Sequence, residues 1–268
     1  MQIMCLNGWG GKLHDALVSY LAAADPDILC LQEVVHTPDA PAEWLTYRDG
    51  DHVLEQRADM LADIELALPE HRAVFCPAAR GVLWHGEVSV PSYWGLATWI
   101  RRDLSVIGQV QGFVHKSFSA DGYGDHPRSR SAHVIRVSDP ANARPVTVGH
   151  MHGLRVPGDK RDTPERLEQA RRFAGLIEAV HEGDDRLVVC GDFNVLPDSG
   201  TFEVLEHRLG VRDLVTGRGF TGTRTPQYRK PDRFADYMLV NAAVTVRSFD
   251  VVASPEVSDH CPLVLDLG

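Results

Sequence analysis

The chain has 268 residues, 44% of them hydrophobic, 24% charged and 7% aromatic. That is a globular composition, and it excludes collagen, coiled coil and global disorder. Lysine and arginine total 27 against 37 aspartates and glutamates, a formal charge of −10; this excludes a general basic surface for clamping nucleic acid but not a local basic groove.

Residues 3–6 read as an apolar strand ending at Asn7-Gly8-Trp9-Gly10-Gly11. The start of the chain lacks the basic residues and apolar stretch of a signal peptide. Leu13, Leu17, Tyr20 and Leu21 recur at helical spacing, which predicts a helix over 12–24 stopped by Pro26. Ile28-Leu29-Cys30-Leu31 is a short buried strand leading into Gln32-Glu33. A helix is expected over 56–68, with Leu61, Ile64 and Leu68 on one face, and strands over 73–76, 82–85, 95–101, 104–114, 132–138 and 146–152. Thr163-Pro164-Glu165 is a helix start, with an N-cap, a proline in the first turn and an acid. Leu167, Ala170, Ala174 and Ile177 give that helix its apolar stripe. A strand over 187–190 ends in Gly191-Asp192-Phe193-Asn194. A helix over 201–209 and strands over 235–240, 244–252 and 263–267 complete the chain.

Turn-rich stretches at 36–42, 119–131, 153–164 and 216–233 are too spread out to mark a domain boundary. A single domain over 1–268 with long, function-bearing loops is expected. Strands and helices alternate early and strands cluster later, the pattern of an α/β or α+β fold with two sheets packed face to face and helices outside. No run of about 18 apolar residues occurs, so no membrane span is expected. Five cysteines, odd in number and without a CxxC pair, read as reduced buried thiols in a cytoplasmic protein.

One pattern recurs. An apolar strand ends and a polar residue suited to metal or phosphate chemistry follows, at Asn7, Glu33, His152, Asp192 with Asn194, Asp236, and Asp259 with His260. Each taken singly is an ordinary turn former or satisfied polar residue. Together, on rigid strand ends, they make a candidate site. Carboxylates and an amide oxygen are hard ligands suited to Mg²⁺ or Mn²⁺, and Glu33, Asp259 and Asn7 supply them. Zinc is not expected. His150 and His152 are the one close histidine pair, and they are expected to point to opposite faces of their strand.

These residues carry a resemblance. Leu29-Cys30-Leu31-Gln32-Glu33, Gly191-Asp192-Phe193-Asn194, Asp236-Tyr237 and Ser258-Asp259-His260, in that order, resemble the endonuclease/exonuclease/phosphatase superfamily over nearly the whole chain, from Asn7 to Leu267. Its members include DNase I-like nucleases, abasic endonucleases, neutral sphingomyelinases and inositol polyphosphate 5-phosphatases. The resemblance implies a four-layer α/β/β/α sandwich with the site at one end of the sheets, and a divalent-metal-dependent phosphoester hydrolase. It implies Glu33 as principal metal ligand, with Asn7 and Asp259 beside the metal, and Asp192 as the group that positions or deprotonates the attacking water. It further implies that Asn194 and His260 contact the phosphate, that Asp236 pairs with His260, and that His152 stands where nucleases and sphingomyelinases carry a histidine. Trp9 replaces the aspartate that abasic endonucleases carry two residues after the first asparagine, which weighs against that activity and against a second metal.

On this reading His260 works best as a cation, and Asp236 is expected to raise its pKa. Arg128, Arg130, Arg155, Lys160, Arg161, Arg229, Lys230 and Arg233 lie in loops or at strand edges, where they either contact substrate phosphate or form a solvated surface. Arg130 and Tyr228 are the candidates for substrate contact. Trp9, Tyr93, Trp94 and Tyr228 are candidates for stacking on a base or sugar, or for ordinary packing. Arg166 and Gln169 are expected to be structural. The leading activity is a phosphodiesterase or nuclease; the alternatives are a hydrolase of small phosphoesters and an inactive binding module. A phosphoester, with nucleic acid as one form, is the expected partner, and no protein partner is inferred.

Overall fold

The computed structural model describes residues 1–140, 142–156 and 159–268, with only the backbone described at 142 and 143. Its strands form two mixed sheets. In spatial order the first contains β13 (Val246–Val251), β14 (Leu263–Leu267), β1 (Gln2–Asn7), β2 (Ile28–His36), β6 (Val88–Arg101), β5 (His71–His85), β3 (Trp44–Asp49) and β4 (His52–Arg57). The second contains β11 (Val211–Asp213), β12 (Asp236–Asn241), β10 (Arg186–Asp192), β9 (Asn142–His152), β8 (Arg130–Asp139) and β7 (Ser105–His115). β1 runs parallel to β2, and β9 to β10, at the centres of the two sheets. Near-continuous apolar runs build these central strands because both of their faces are covered.

Between the sheets, Cys5 of β1 and Cys30 of β2 meet Cys190 of β10 at the thiols. Ile3, Ile28, Val148 and Val188 belong to the same buried cluster. On the outer face of the first sheet, Met4, Leu6, Leu29, Leu31 and Trp99 pack against Leu17 and Leu21 of α1 (His14–Ala24) and Leu61 and Ile64 of α2 (Met60–Ala67). On the outer face of the second, Gly149 lies under Phe173 and Ile177 of α3 (Pro164–Glu178), with α4 (Gly200–Leu209) alongside α3 and α5 (Leu214–Gly217) against β11 and β12. The result is the α/β/β/α sandwich that the sequence predicts. No helix among the described residues is long and apolar enough to cross a membrane.

α3 begins as expected. Thr163 accepts a hydrogen bond from the Arg166 N–H, and Pro164 occupies the first turn. Thr163→Ala should therefore cost about 1 kcal/mol, read as a lowered midpoint in chemical denaturation with an unchanged slope.

Several expected boundaries shift. α1 starts two residues later than predicted, after a short 3₁₀ turn at Trp9–Gly11. The strands expected at 73–76 and 82–85 are one long strand, β5, because the register shift between Pro77 and Ala79 lets pairing with β6 continue past the proline. Residues 56 and 57 belong to β4 rather than to a helix, and the β3–β4 hairpin is absent from the sequence reading. Asp49-Gly50, with Gly50 at φ +57°, was its available signal. The turn-rich stretch 153–164 includes 157 and 158, which lie outside the described residues.

Candidate active site

β1 of one sheet and β9 and β10 of the other end, β12 begins and β2 bulges at the same edge of the sandwich. Register sets the first row. Asp192 pairs with His152 on one side and Asp236 on the other, so three polar residues stand abreast where β9 and β10 end and β12 begins. β2 does not end at Glu33 as expected. Glu33 sits in a bulge between Gln32 and Val34 at φ +59°, and the strand continues beyond it. Such a bulge re-aims one side chain without breaking the sheet. Gly191 is required by its backbone. It lies at φ +145°, and a Cβ there would meet the Met151 carbonyl at 2.1 Å.

Asp192 is buried and firmly held. One oxygen accepts from the Asn7 amide at 3.0 Å, the other from the Asn194 N–H at 3.0 Å. The Asn7 oxygen in turn accepts from the Trp9 N–H at 2.9 Å, which fixes the orientation of the amide. His152 Nε2 lies 3.7 Å from Asp192 and 3.9 Å from Glu33, and His260 Nε2 lies 3.8 Å from Asp192 and 3.7 Å from Asp259. His260 Nδ1 is 2.8 Å from both Asp236 oxygens, and the Thr223 hydroxyl donates to Asp236 at 2.9 Å. The Ser258 hydroxyl donates to the Asn7 carbonyl at 2.7 Å and accepts from the His260 N–H, tying the Ser258-Asp259-His260 turn to the end of β1. Asp192, Asp236 and His260 bring ligand-type atoms within 4.8 Å of one another.

Arg224 was not singled out in the sequence. It pairs with Asp259 at 2.8 Å, its guanidinium lies 4.3 Å from the Tyr228 ring centroid, and a backbone bridge joins it to His260. It sits in the turn-rich stretch 216–233 with no local pattern to mark it.

Burial dominates the electrostatics. It pushes Asp236 up to about 6, against the pull of Arg224 and Thr223. Burial, with Arg224 adding to it, pushes His260 down to about 4. The expected rise at His260 therefore does not occur, because desolvation and a neighbouring cation outweigh the acids around it. Burial, and then the Arg130 charge, hold His152 well below the ordinary histidine range. Burial raises the carboxyls of Glu33 and Asp259.

A cavity of about 280 Å³ opens over this floor and is lined by Glu33, His152, Asp192, Asn194, Asp259 and His260, with Arg155, Lys160, Arg224, Tyr228 and Lys230 on its walls. Asn7 and Asp236 stand behind the floor. Arg130 lines an adjoining cavity instead. His150 corrects the reading of the histidine pair. Residues two apart in a strand share a face, so both rings point between the sheets; His150 is engaged at Thr98 (2.8 Å) and Gln32 (3.3 Å) and takes no part in the site. Of the other basic loop residues, Arg128 pairs with Asp49, Arg161 with Asp159, and Arg233 donates to the carbonyls of Tyr228, Arg224 and Thr225. Arg166 donates to the Asp159 and Arg161 carbonyls, and Gln169 accepts from the Leu154 N–H, so both brace the segment after β9.

The donor set suits a hard divalent cation. Asp259 Oδ1 is buried without a hydrogen-bond partner, and the Glu33 carboxylate faces the same cavity. A buried, unpartnered carboxylate oxygen is costly unless something positive meets it.

Comparisons with known proteins bear on the fold and the family. No curated protein matches the chain. Among solved structures, a mannosyl-6-phosphatase of Bacteroides thetaiotaomicron superposes with a TM-score of 0.71 at 14% identity, covering 100% of this chain and 99% of that one. The human Nocturnin catalytic domain with bound sulfate gives 0.68 at 17% identity, covering 100% and 93%. An endonuclease/exonuclease/phosphatase protein of Beutenbergia cavernae gives 0.69 at 22% identity, covering 100% and 71%. The sequence model of the Endonuclease/Exonuclease/phosphatase family matches residues 4–260. With that match running from the first strand to the histidine that lines this cavity, the chain belongs to the endonuclease/exonuclease/phosphatase family.

Proposed function

We propose that residues 1–268 form one catalytic unit, a divalent-metal-dependent hydrolase of small phosphoesters. The observation that carries this reading is the convergence of Glu33, His152, Asp192, Asn194, Asp259 and His260 on one cavity of about 280 Å³ with arginine and lysine on its walls. Glu33 and Asp259 would hold Mg²⁺ or Mn²⁺, with the second lone pair of the Asn7 oxygen beside them. The ion supplies charge neutralisation at the phosphoryl oxygens.

The chain's own residues do the rest. Asp192, fixed by Asn7 and Asn194, accepts a proton from the attacking water. Asn194 donates a hydrogen bond to a non-bridging oxygen; His260, its Nδ1 held by Asp236, donates from Nε2 to another once the phosphate charge has drawn a proton onto its ring. Phosphate charge in the cavity draws a proton onto His152, which passes it to the leaving oxygen as the new phosphorus–oxygen bond forms and the ester bond breaks. Arg224 adds positive charge at the wall.

A compact substrate is favoured over a long nucleic acid. Of the four aromatic rings expected to stack on bases, Trp9, Trp94 and Tyr228 hold cations and Tyr93 lies against His36. Tyr228 has Arg224 at 4.3 Å and Lys160 at 5.6 Å, and Trp94 has Arg130 at 5.0 Å. The net charge of −10 points the same way. The five buried cysteines, none in a disulfide, support a cytoplasmic setting.

The test is a panel of alkyl and sugar phosphates, nucleotides, bis-p-nitrophenyl phosphate, single- and double-stranded DNA and RNA, each with Mg²⁺, Mn²⁺, Ca²⁺ or EDTA. Release from small esters in Mg²⁺ or Mn²⁺, and its loss in EDTA, is expected. Rapid cleavage of polymer with small esters left intact would replace this reading by the nuclease one. No release from any ester under any metal would overturn both.

A further inference from the structure

Beside the catalytic cavity lies a second of the same volume, about 280 Å³, which shares Glu33, His52, Leu54 and Arg155 with it. Arg130 lines only the second. It is 5% exposed, and its Nε and Nη1 are buried with no hydrogen-bond partner. Burial holds its guanidinium down to about 10, opposed by the charges of Glu33 and Asp192. A buried guanidinium with open donors is costly, and a bound anion is the group that removes the cost.

The neighbouring arginine is already committed. Arg128 donates to Asp49 at 2.9 Å and lies against the rings of both Tyr47 and Tyr123, at 5.5 and 5.7 Å. Trp94 has Arg130 5.0 Å and His152 5.3 Å from its ring centre. With that ring already against two side chains, the cavity offers charge rather than a free stacking platform. The same indole links Arg130 to His152, the residue proposed above to protonate the leaving oxygen.

We propose that this second cavity is a subsite for an anionic group, phosphate or carboxylate, carried by the substrate's leaving alcohol, with Arg130 and the shared, exposed Arg155 as its cationic partners. The preferred substrate is then a phosphoester bearing a second anion. This rests on the hydrolase reading above and names its substrate class.

The test compares propyl phosphate, 3-phosphooxypropanoate and α,ω-alkanediol bisphosphates with linkers of three to six carbons, using the metal-loaded enzyme. The wild type is expected to prefer an anion-tailed probe over propyl phosphate at least tenfold in kcat/KM, mostly through KM. The carboxylate and bisphosphate arms tell which anion is favoured. Arg130→Met is expected to erase that ratio and Arg130→Lys to retain part of it. Arg155→Gln, a change at an exposed side chain, should lower it severalfold even if Arg130→Met fails to fold. Hydrolysis of every probe by the wild type without a preference for a second anion overturns the subsite while leaving the hydrolase reading in place. An equal loss on all probes in Arg130→Met overturns it too, by assigning Arg130 to the scissile phosphate. No hydrolysis of any probe would count against the hydrolase reading itself.

Discussion

Asp192→Asn is expected to lower turnover by roughly 10²–10⁴, the range for removing a positioned general base, with little change in fold. The substitution keeps the shape of a side chain wedged between two donors, the Asn7 amide and the Asn194 N–H. Asparagine can still accept from one of them. What it loses is the capacity to take a proton from water. The two histidines that approach Asp192, at 3.7 and 3.8 Å, do not replace it, because in the proposed mechanism both carry a proton and act as donors rather than as bases. Single-turnover kinetics on the best ester of the panel, with circular dichroism and thermal denaturation as controls, measure this. Near wild-type turnover in a folded Asp192→Asn protein would remove Asp192 from the role of base.

Glu33→Gln separates metal binding from folding. Burial raises the Glu33 carboxyl, while the Asn7 amide and Arg155 pull it down. The charged form is thus disfavoured where it sits, and glutamine carries no charge. The metal-free variant is expected to melt at the wild-type temperature or higher. Metal reverses the order. A ligand bound only by the folded state at one hundred times its Kd stabilises by about 2.7 kcal/mol, which for a chain of this size is roughly 5 °C in Tm. The wild type should gain that shift in Mg²⁺ or Mn²⁺, and Glu33→Gln should gain almost none and lose nearly all turnover. Differential scanning fluorimetry across a metal titration reads this without any substrate. An equal metal-induced shift in both proteins would show that Glu33 is not a ligand.

The bulge at Glu33 shows where local reading stops. The apolar run 28–31 announces a strand and the glutamate after it announces chemistry, but only pairing with β6 creates the extra residue that turns Glu33 into the cavity while β2 continues. Likewise the β3–β4 hairpin, whose His52 and Leu54 wall both cavities, was obscured by its weak alternation at the sheet edge.

By itself, the sequence determined the alternation of buried strands and amphipathic helices, the two-sheet sandwich and the chemical types of the groups at the strand ends. These follow from patterns a few residues long, since strand and helix periodicity and turn chemistry are local properties. The tertiary structure alone decided the ion pair of Arg224 with Asp259, the unpartnered donors of Arg130 and the lowered pKa of His260. Those depend on burial and on partners far away in the chain. Asn7 and Asp192, 185 residues apart, share a hydrogen bond, and the desolvation that sets each group's charge is fixed only when the two sheets close on one another.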